Sequence, residues 1–171
     1  MHFLVYFIFS VFLICIQTTL FPAFFRLFAQ YDLLIPFVVY LTLFRSSIGV
    51  LPVILLSGCL MDLLSGGIIG IHIATYILIL ICFRTATIYF HFKNSILFQM
   101  VIILSVLIEN IIFALVIFFQ TFTLQFSLYS ASVLMTQFMW ALISSPIIYY
   151  MFDYVFNEID KLITGGLREK V

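Results

Sequence analysis

From Phe3 to Phe152 the chain is a string of apolar runs interrupted by only seven charged residues: Arg26, Asp32, Arg45, Asp62, Arg84, Lys93 and Glu109. A soluble domain is typically about 45–50% apolar and about 25% charged. Here 65% of residues are hydrophobic and 8% are charged. So few charges cannot give a chain of 171 residues a polar exterior. Lipid is the solvent that suits such a surface. Phe, Ile and Leu insert favourably at a bilayer centre, whereas each Lys, Arg or Asp costs roughly 2.5–3.5 kcal/mol there.

The sequence therefore predicts an all-α integral membrane protein, a single domain over residues 1–171. The punctuation of the runs places six transmembrane helices at 3–20, 33–44, 48–62, 68–84, 96–119 and 132–152, followed by a tail at 153–164. The first run has no Lys or Arg before it and no clear cleavage site after it, so it is expected to be a retained membrane helix rather than a leader. Runs two to four are shorter than the roughly 20 residues that a lone upright span needs. They either pair as re-entrant hairpins or cross as short helices inside a bundle. Six crossings with the N-terminus inside put Arg45, Arg84, Lys93, Lys161, Arg168 and Lys170 in the cytoplasm and only Arg26 outside. That bias follows the positive-inside rule, whereas fusing two runs would scatter the later charges. Six crossings with both termini cytoplasmic are expected.

Two connections carry patterns of their own. Gln120 to Ala131 has no charge, and its apolar residues alternate at Phe122, Leu124, Phe126 and Leu128. Period two suggests an extended external segment. It either dips its aromatics into the headgroups or receives a partner, with Phe122, Leu124 and Phe126 as the contact surface. After Asp153, Val155, Phe156, Ile159, Leu162 and Ile163 keep helical spacing. An amphipathic cytoplasmic extension of the last helix is expected, stopped at Gly165-Gly166.

The chemistry is sparse. A formal net charge of +0 and the lack of a basic patch leave nothing to neutralise nucleic-acid phosphates. Cys15, Cys59 and Cys82 lie inside apolar runs and fit neither a disulfide framework nor a metal spacing. No metalloprotease, phosphate-loop, nucleophile-elbow or dinucleotide motif occurs. No enzyme activity, cofactor or metal is expected. The motif Gly58-x-x-x-Asp62-x-x-x-Gly66-x-x-x-Gly70 puts small residues one turn apart, which lets another backbone approach. Ser65-Gly66-Gly67 predicts a turn, since Gly tolerates positive φ, with Asp62 capping it. Glu109-Asn110 falls near the middle of the fifth run, and an intramembrane carboxyl faces the bundle interior by default. Ser105, Gln99 and Gln137 are its expected partners, and His72 is expected to be a hydrogen-bonded core residue. Asp62 at the outer face and Glu109 near mid-membrane look too far apart to act together. Arg45, Arg84, His91 and Lys93 are expected to mark the inner face.

The order of short motifs over residues 17–76 resembles the MreD family of bacterial rod shape-determining membrane proteins. Gln17-Thr-Thr-Leu-Phe-Pro22 closes the first helix, and Asp32-Leu-Leu-Ile-Pro36 opens the second. Phe44-Arg45-Ser-Ser-Ile-Gly49 follows, then Gly58, Asp62, Gly66 and Gly70. The second half is similar only in length and hydropathy. The resemblance implies a non-enzymatic subunit of the cell-elongation machinery in the cytoplasmic membrane. Its implied partner is MreC, a single-span protein. RodA and a penicillin-binding transpeptidase lie beside it, and MreB is reached indirectly. The implied fold resembles the six-helix substrate-binding subunit of energy-coupling-factor transporters. A vitamin-binding subunit of that type, with Glu109, Asn110 and His72 lining its pocket, is the alternative function.

Overall fold

The computed structural model describes residues 2–20, 31–45, 47–66, 69–89, 95–121 and 128–168. All regular structure among them is helical: α1 (His2–Cys15), α2 (Leu34–Phe44), α3 (Ser47–Ser65), α4 (Ile71–Tyr89), α5 (Ser95–Thr121) and α6 (Leu128–Arg168). The chain continues from α1 into a wider π-helical stretch, Ile16–Leu20. There Thr18 donates from its hydroxyl to the Ile14 carbonyl at 2.8 Å and Thr19 donates to Cys15. Hydroxyls that take backbone carbonyls compete with the regular helical ladder. Two segments, Leu97–Gln120 in α5 and Val133–Phe156 in α6, are long and apolar enough to cross a membrane.

The short helix α2 is the axis of the fold. It packs against α1, α3, α4, α5 and α6, and every residue from Leu34 to Thr42 is buried. A helix that is apolar all round belongs in an interior. Its C-terminus is closed from a distance. The Arg84 guanidinium donates to the carbonyls of Thr42 at 3.1 Å and Arg45 at 2.9 Å. Cations at a helix C-terminus satisfy its orphan carbonyls and its dipole. Arg84 was expected to end the fourth helix at the membrane face. It sits instead within α4, which runs on to Tyr89, because its charge is consumed by α2 rather than left for water.

Around the C-terminal half of α2, Tyr6 and Phe9 of α1, Phe37, Tyr40 and Phe44 of α2, Phe98 of α5, and Tyr149, Phe152 and Phe156 of α6 interlock. Phe37 meets Phe152 edge-on at 5.2 Å, Tyr6 meets Phe156 edge-on at 5.1 Å, and Tyr40 stacks on Phe156 at 5.7 Å. Arg45 lies over the Phe156 ring at 5.4 Å.

The glycines of the motif divide into two kinds. A Cβ on Gly58 would come within 2.9 Å of the Ile73 Cα, so α3 and α4 touch backbone to backbone there. The motif's spacing suggests the same packing at Gly66 and Gly70, and Gly66 is also predicted in a turn; a Cβ on either would meet nothing within 4 Å. Their φ values of +64° and +102° make them turn glycines between α3 and α4. The tail also departs from expectation. α6 begins at Leu128 and continues through Gly165 and Gly166 to Arg168. An interior glycine costs about 1 kcal/mol relative to alanine and does not by itself end a helix. Phe122, Leu124 and Phe126, the expected partner surface, lie outside the described residues.

Candidate functional site

At the opposite end of α2 from the aromatic cluster, α3 ends and α4 begins. The turn through Gly66 and Gly70 carries the chain back so that Asp62, in the last turn of α3, faces the first turn of α4. Its Oδ2 accepts from the Gly70 amide at 2.8 Å and the Ile73 amide at 3.4 Å. Its Oδ1 accepts from the His72 amide at 2.9 Å and lies 2.9 Å from His72 Nδ1. The leading amides of a helix have no partner within it, and a negative charge there also suits the dipole. Asp62 thus caps α4 from the preceding helix, the role its place in the sequence predicts.

The contact with Nδ1 fixes the imidazole and leaves Nε2 as the nitrogen that can offer a lone pair. The ring is further braced edge-on by Tyr76 at 6.1 Å and Phe113 at 5.7 Å. Beside it stands Asp32, just before α2, with 4% of its surface exposed. Asp32 Oδ1 accepts from the Leu34 amide at 2.9 Å, and Oδ2 accepts the Tyr76 hydroxyl proton. The amide of Leu33 donates to Gln17 Oε1 at 3.0 Å, which ties the π-helical stretch to the start of α2. Nearby, Tyr31 shares a 2.9 Å hydrogen bond with Ser144 of α6. Burial pushes the Tyr31 hydroxyl well above the ordinary phenol range, so it stays protonated and available as a donor.

Glu109 of α5 completes the group, with 6% of its surface exposed. One ligand atom each from Asp32, His72 and Glu109 lies within 4.8 Å of the other two. Three elements therefore deliver ligating groups to one buried spot, the lead-in to α2, the start of α4 and the middle of α5, with Asp62 at the end of α3 behind His72. Among the described residues, neither Asp32 nor Glu109 forms an ion pair with lysine or arginine.

Glu109 does not use the partners its sequence neighbourhood offers. Ser105 donates back to the Val101 carbonyl at 2.8 Å. Gln137 instead accepts from the Asn110 amide at 2.7 Å, while Asn110 also donates to the Val106 carbonyl at 2.8 Å. Asn110 supplies the hydrogen bond between α5 and α6, and Glu109, one residue earlier, points to α2 and α4. Nor does the expected separation of Asp62 from Glu109 hold. His72 contacts Asp62 directly and stands within 4.8 Å of the Glu109 ligand atom. The α3–α4 turn comes level with the middle of α5, which continues 12 residues past Glu109 to Thr121, a rise of about 18 Å.

Sequence reasoning missed Asp32 and Tyr76 as members of this group. The available signal is weak: an acidic residue at the head of an apolar run. Chemically, two carboxyls and an imidazole can share a proton or hold a cation, and the one hydroxyl described among them, that of Tyr76, is engaged by Asp32. Compared with protein-family models, with curated proteins and with solved structures, the chain gives no match.

Proposed function

We propose that the chain is a six-crossing helical bundle of the bacterial cytoplasmic membrane, with both ends cytoplasmic. In this reading it is a non-enzymatic scaffold of the cell-elongation machinery that holds the membrane helix of an MreC-like partner. One observation carries the membrane reading: polarity is inverted relative to a water-soluble fold. Large apolar side chains are exposed at helical spacing, as Leu4, Ile8 and Phe12 on α1, Met100, Leu104 and Ile111 on α5, and Met135, Met139 and Ile147 on α6. The buried set includes Ser10, Asp32, Thr42, Ser57, Asp62, Thr75, Ser105, Glu109, Gln137 and Ser145. Water selects the reverse arrangement, whereas lipid drives polar groups inward to each other.

The lengths are compatible with this reading. α3 and α4 have 19 residues each, a rise of about 28 Å against a hydrocarbon core of about 30 Å. α2, at 11 residues, is enclosed by the other helices and needs no match to lipid. Reporter fusions after Arg45, Ser65, Lys93 and Phe126 test the topology, and a cytoplasmic signal at Ser65 overturns it.

The scaffold reading rests on the resemblance over residues 17–76 and is supported by the outer half of α5. Past Asn110 that helix has no buried side chain among its described residues, and Ile111, Leu115, Ile117 and Phe119 are each at least half exposed. Co-expression with an MreC-like single-span protein should yield a complex that survives purification. Folded chain that never retains such a partner defeats the reading. In the scaffold reading RodA and a penicillin-binding transpeptidase would lie beside the chain, with MreB reached indirectly. The buried approach of His72 to Glu109, within 4.8 Å, favours, as a second reading, a vitamin-type binding subunit of an energy-coupling-factor transporter. A vitamin retained after mild purification would establish it.

A further inference from the structure

The cluster of Asp32, His72 and Glu109 has a geometry that neither reading explains. We infer that these three side chains form a binding site for a single divalent transition-metal ion, of the zinc or manganese type, with Asp62 holding the histidine in position. This inference concerns the cluster alone and stands whichever partner the bundle holds.

Four observations carry it. The donor set is right: one imidazole and two carboxylates are borderline-to-hard ligands, which suit zinc and manganese. The spacing is close to right. Metal–ligand bonds of about 2.0–2.2 Å put ligand atoms roughly 3.3–3.6 Å apart around a tetrahedral ion. The three atoms lie within 4.8 Å of one another, so an ion would draw them in by at most about 1.5 Å, within reach of side-chain rotation. The histidine is set as ligating histidines are. Its Nδ1 lies 2.9 Å from a carboxylate oxygen, Asp62 Oδ1, the kind of contact that orients a ligating histidine and raises its basicity. Finally, the Glu109 carboxyl, 6% exposed, forms no hydrogen bond among the described residues and yet faces Asp32 and His72.

Charge gives the physical reason. Two carboxylates in an apolar interior repel each other strongly, and a buried charge without a partner is among the most destabilising features a fold can hold. A divalent cation between them, with a neutral imidazole, brings the ligand set to zero net charge. The remaining Asp62 charge rests on three amides at the N-terminus of α4 and is offset by its dipole. The ion would clasp α2, α4 and α5 at the end of the bundle that lacks the aromatic cluster. Three protein ligands leave a further coordination position for water.

The test uses the full chain, purified in detergent, stripped with a chelator, re-equilibrated with Zn²⁺ or Mn²⁺, and freed of excess. Elemental analysis should find one metal per chain, and zinc X-ray absorption should report one imidazole with oxygen ligands. Glu109→Gln and Asp32→Asn should each weaken retention at least tenfold, and Asp62→Asn, which leaves all three ligands in place, by about 10–100-fold. Asp153→Asn, at the other end of the bundle, should retain the metal fully. Metal should also raise the melting temperature of the parent chain and not that of Glu109→Gln. A monodisperse parent chain that retains no stoichiometric metal overturns the inference without recourse to any variant. Retention that is equal in the parent, Glu109→Gln and Asp32→Asn chains overturns it too.

Discussion

Nine aromatic rings from α1, α2, α5 and α6 interlock at one end of the bundle, with centroid separations between about 5 and 6.5 Å. At the other end, a single carboxylate holds three amides and an imidazole, and two further carboxyls lean on the same histidine. The first end is held by many weak, similar contacts. Removing one leaves the rest in place, and a substitute of similar size restores most of the loss. The second end is held by few contacts that share one acceptor. Removing that acceptor strands every donor at once.

The largest expected effect therefore belongs to a small side chain. Asp62→Ala leaves the amides of Gly70, His72 and Ile73 and the imidazole without their acceptor. At about 1–3 kcal/mol for each stranded donor, the loss is on the order of 5 kcal/mol. It should be read as failure to recover monodisperse chain from detergent. A variant that unfolds in a denaturant titration within about 1 kcal/mol of the parent would break the comparison between the two ends.

Phe152→Ala comes next. Phe152 is fully buried and touches Phe9, Phe37, Tyr40 and Phe156. The cavity should cost about 3–5 kcal/mol, and Phe152→Leu less than about 1.5 kcal/mol. That gradation is the signature of the packed end, and equal losses for the two variants would show that ring geometry rather than volume holds it. Gly58→Ala should cost about 1–3 kcal/mol, because the added methyl meets the Ile73 backbone at 2.9 Å and no side chain can swing aside. The same denaturant titration measures both.

These positions also mark what the sequence can and cannot disclose. The apolar runs and their charged punctuation are local signals, so the helices are legible, as is the cap at Asp62, which sits next to the turn it serves. Helix ends are less so. Arg84 reads as a boundary, but its charge is spent on carbonyls 42 and 39 residues earlier in the chain, a long-range fact with no local signature. The glycine motif is visible, yet its division into one packing position and two turn positions depends on φ and on what stands opposite. The cluster is the least legible feature. Asp32 and Glu109 are 77 residues apart in the numbering and meet only because α2 threads the centre of the bundle.

Gly66→Ala should have a smaller effect than Gly58→Ala, since it meets no atom within 4 Å and suffers only the positive φ of +64°. Left-handed backbone costs a residue with a Cβ roughly 1–2 kcal/mol. Gly66→Asn should recover part of this, because asparagine tolerates that region. If Gly58→Ala proved the milder substitution, the α3–α4 contact would be looser than its geometry shows.

The smallest expected effect is at Asn110, and it sharpens the comparison most. Like Asp62, it is a polar side chain inside an apolar helix, and it bonds across helices to Gln137 at 2.7 Å. Unlike Asp62, it serves one interhelical bond rather than four contacts. Its other bond is to the Val106 carbonyl one turn back, which the helical ladder already engages. Interhelical hydrogen bonds of this kind in membranes average about 0.6 kcal/mol and reach about 1.7. Asn110→Leu should fall in that range by denaturant titration, with Asn110→Leu combined with Gln137→Leu no worse than the sum of the single changes. A loss near that of Asp62→Ala would mean that any buried amide is critical in this bundle. A loss near 0.6 kcal/mol would assign the fragility of the polar end to the sharing of one acceptor, and not to polarity in an apolar interior as such.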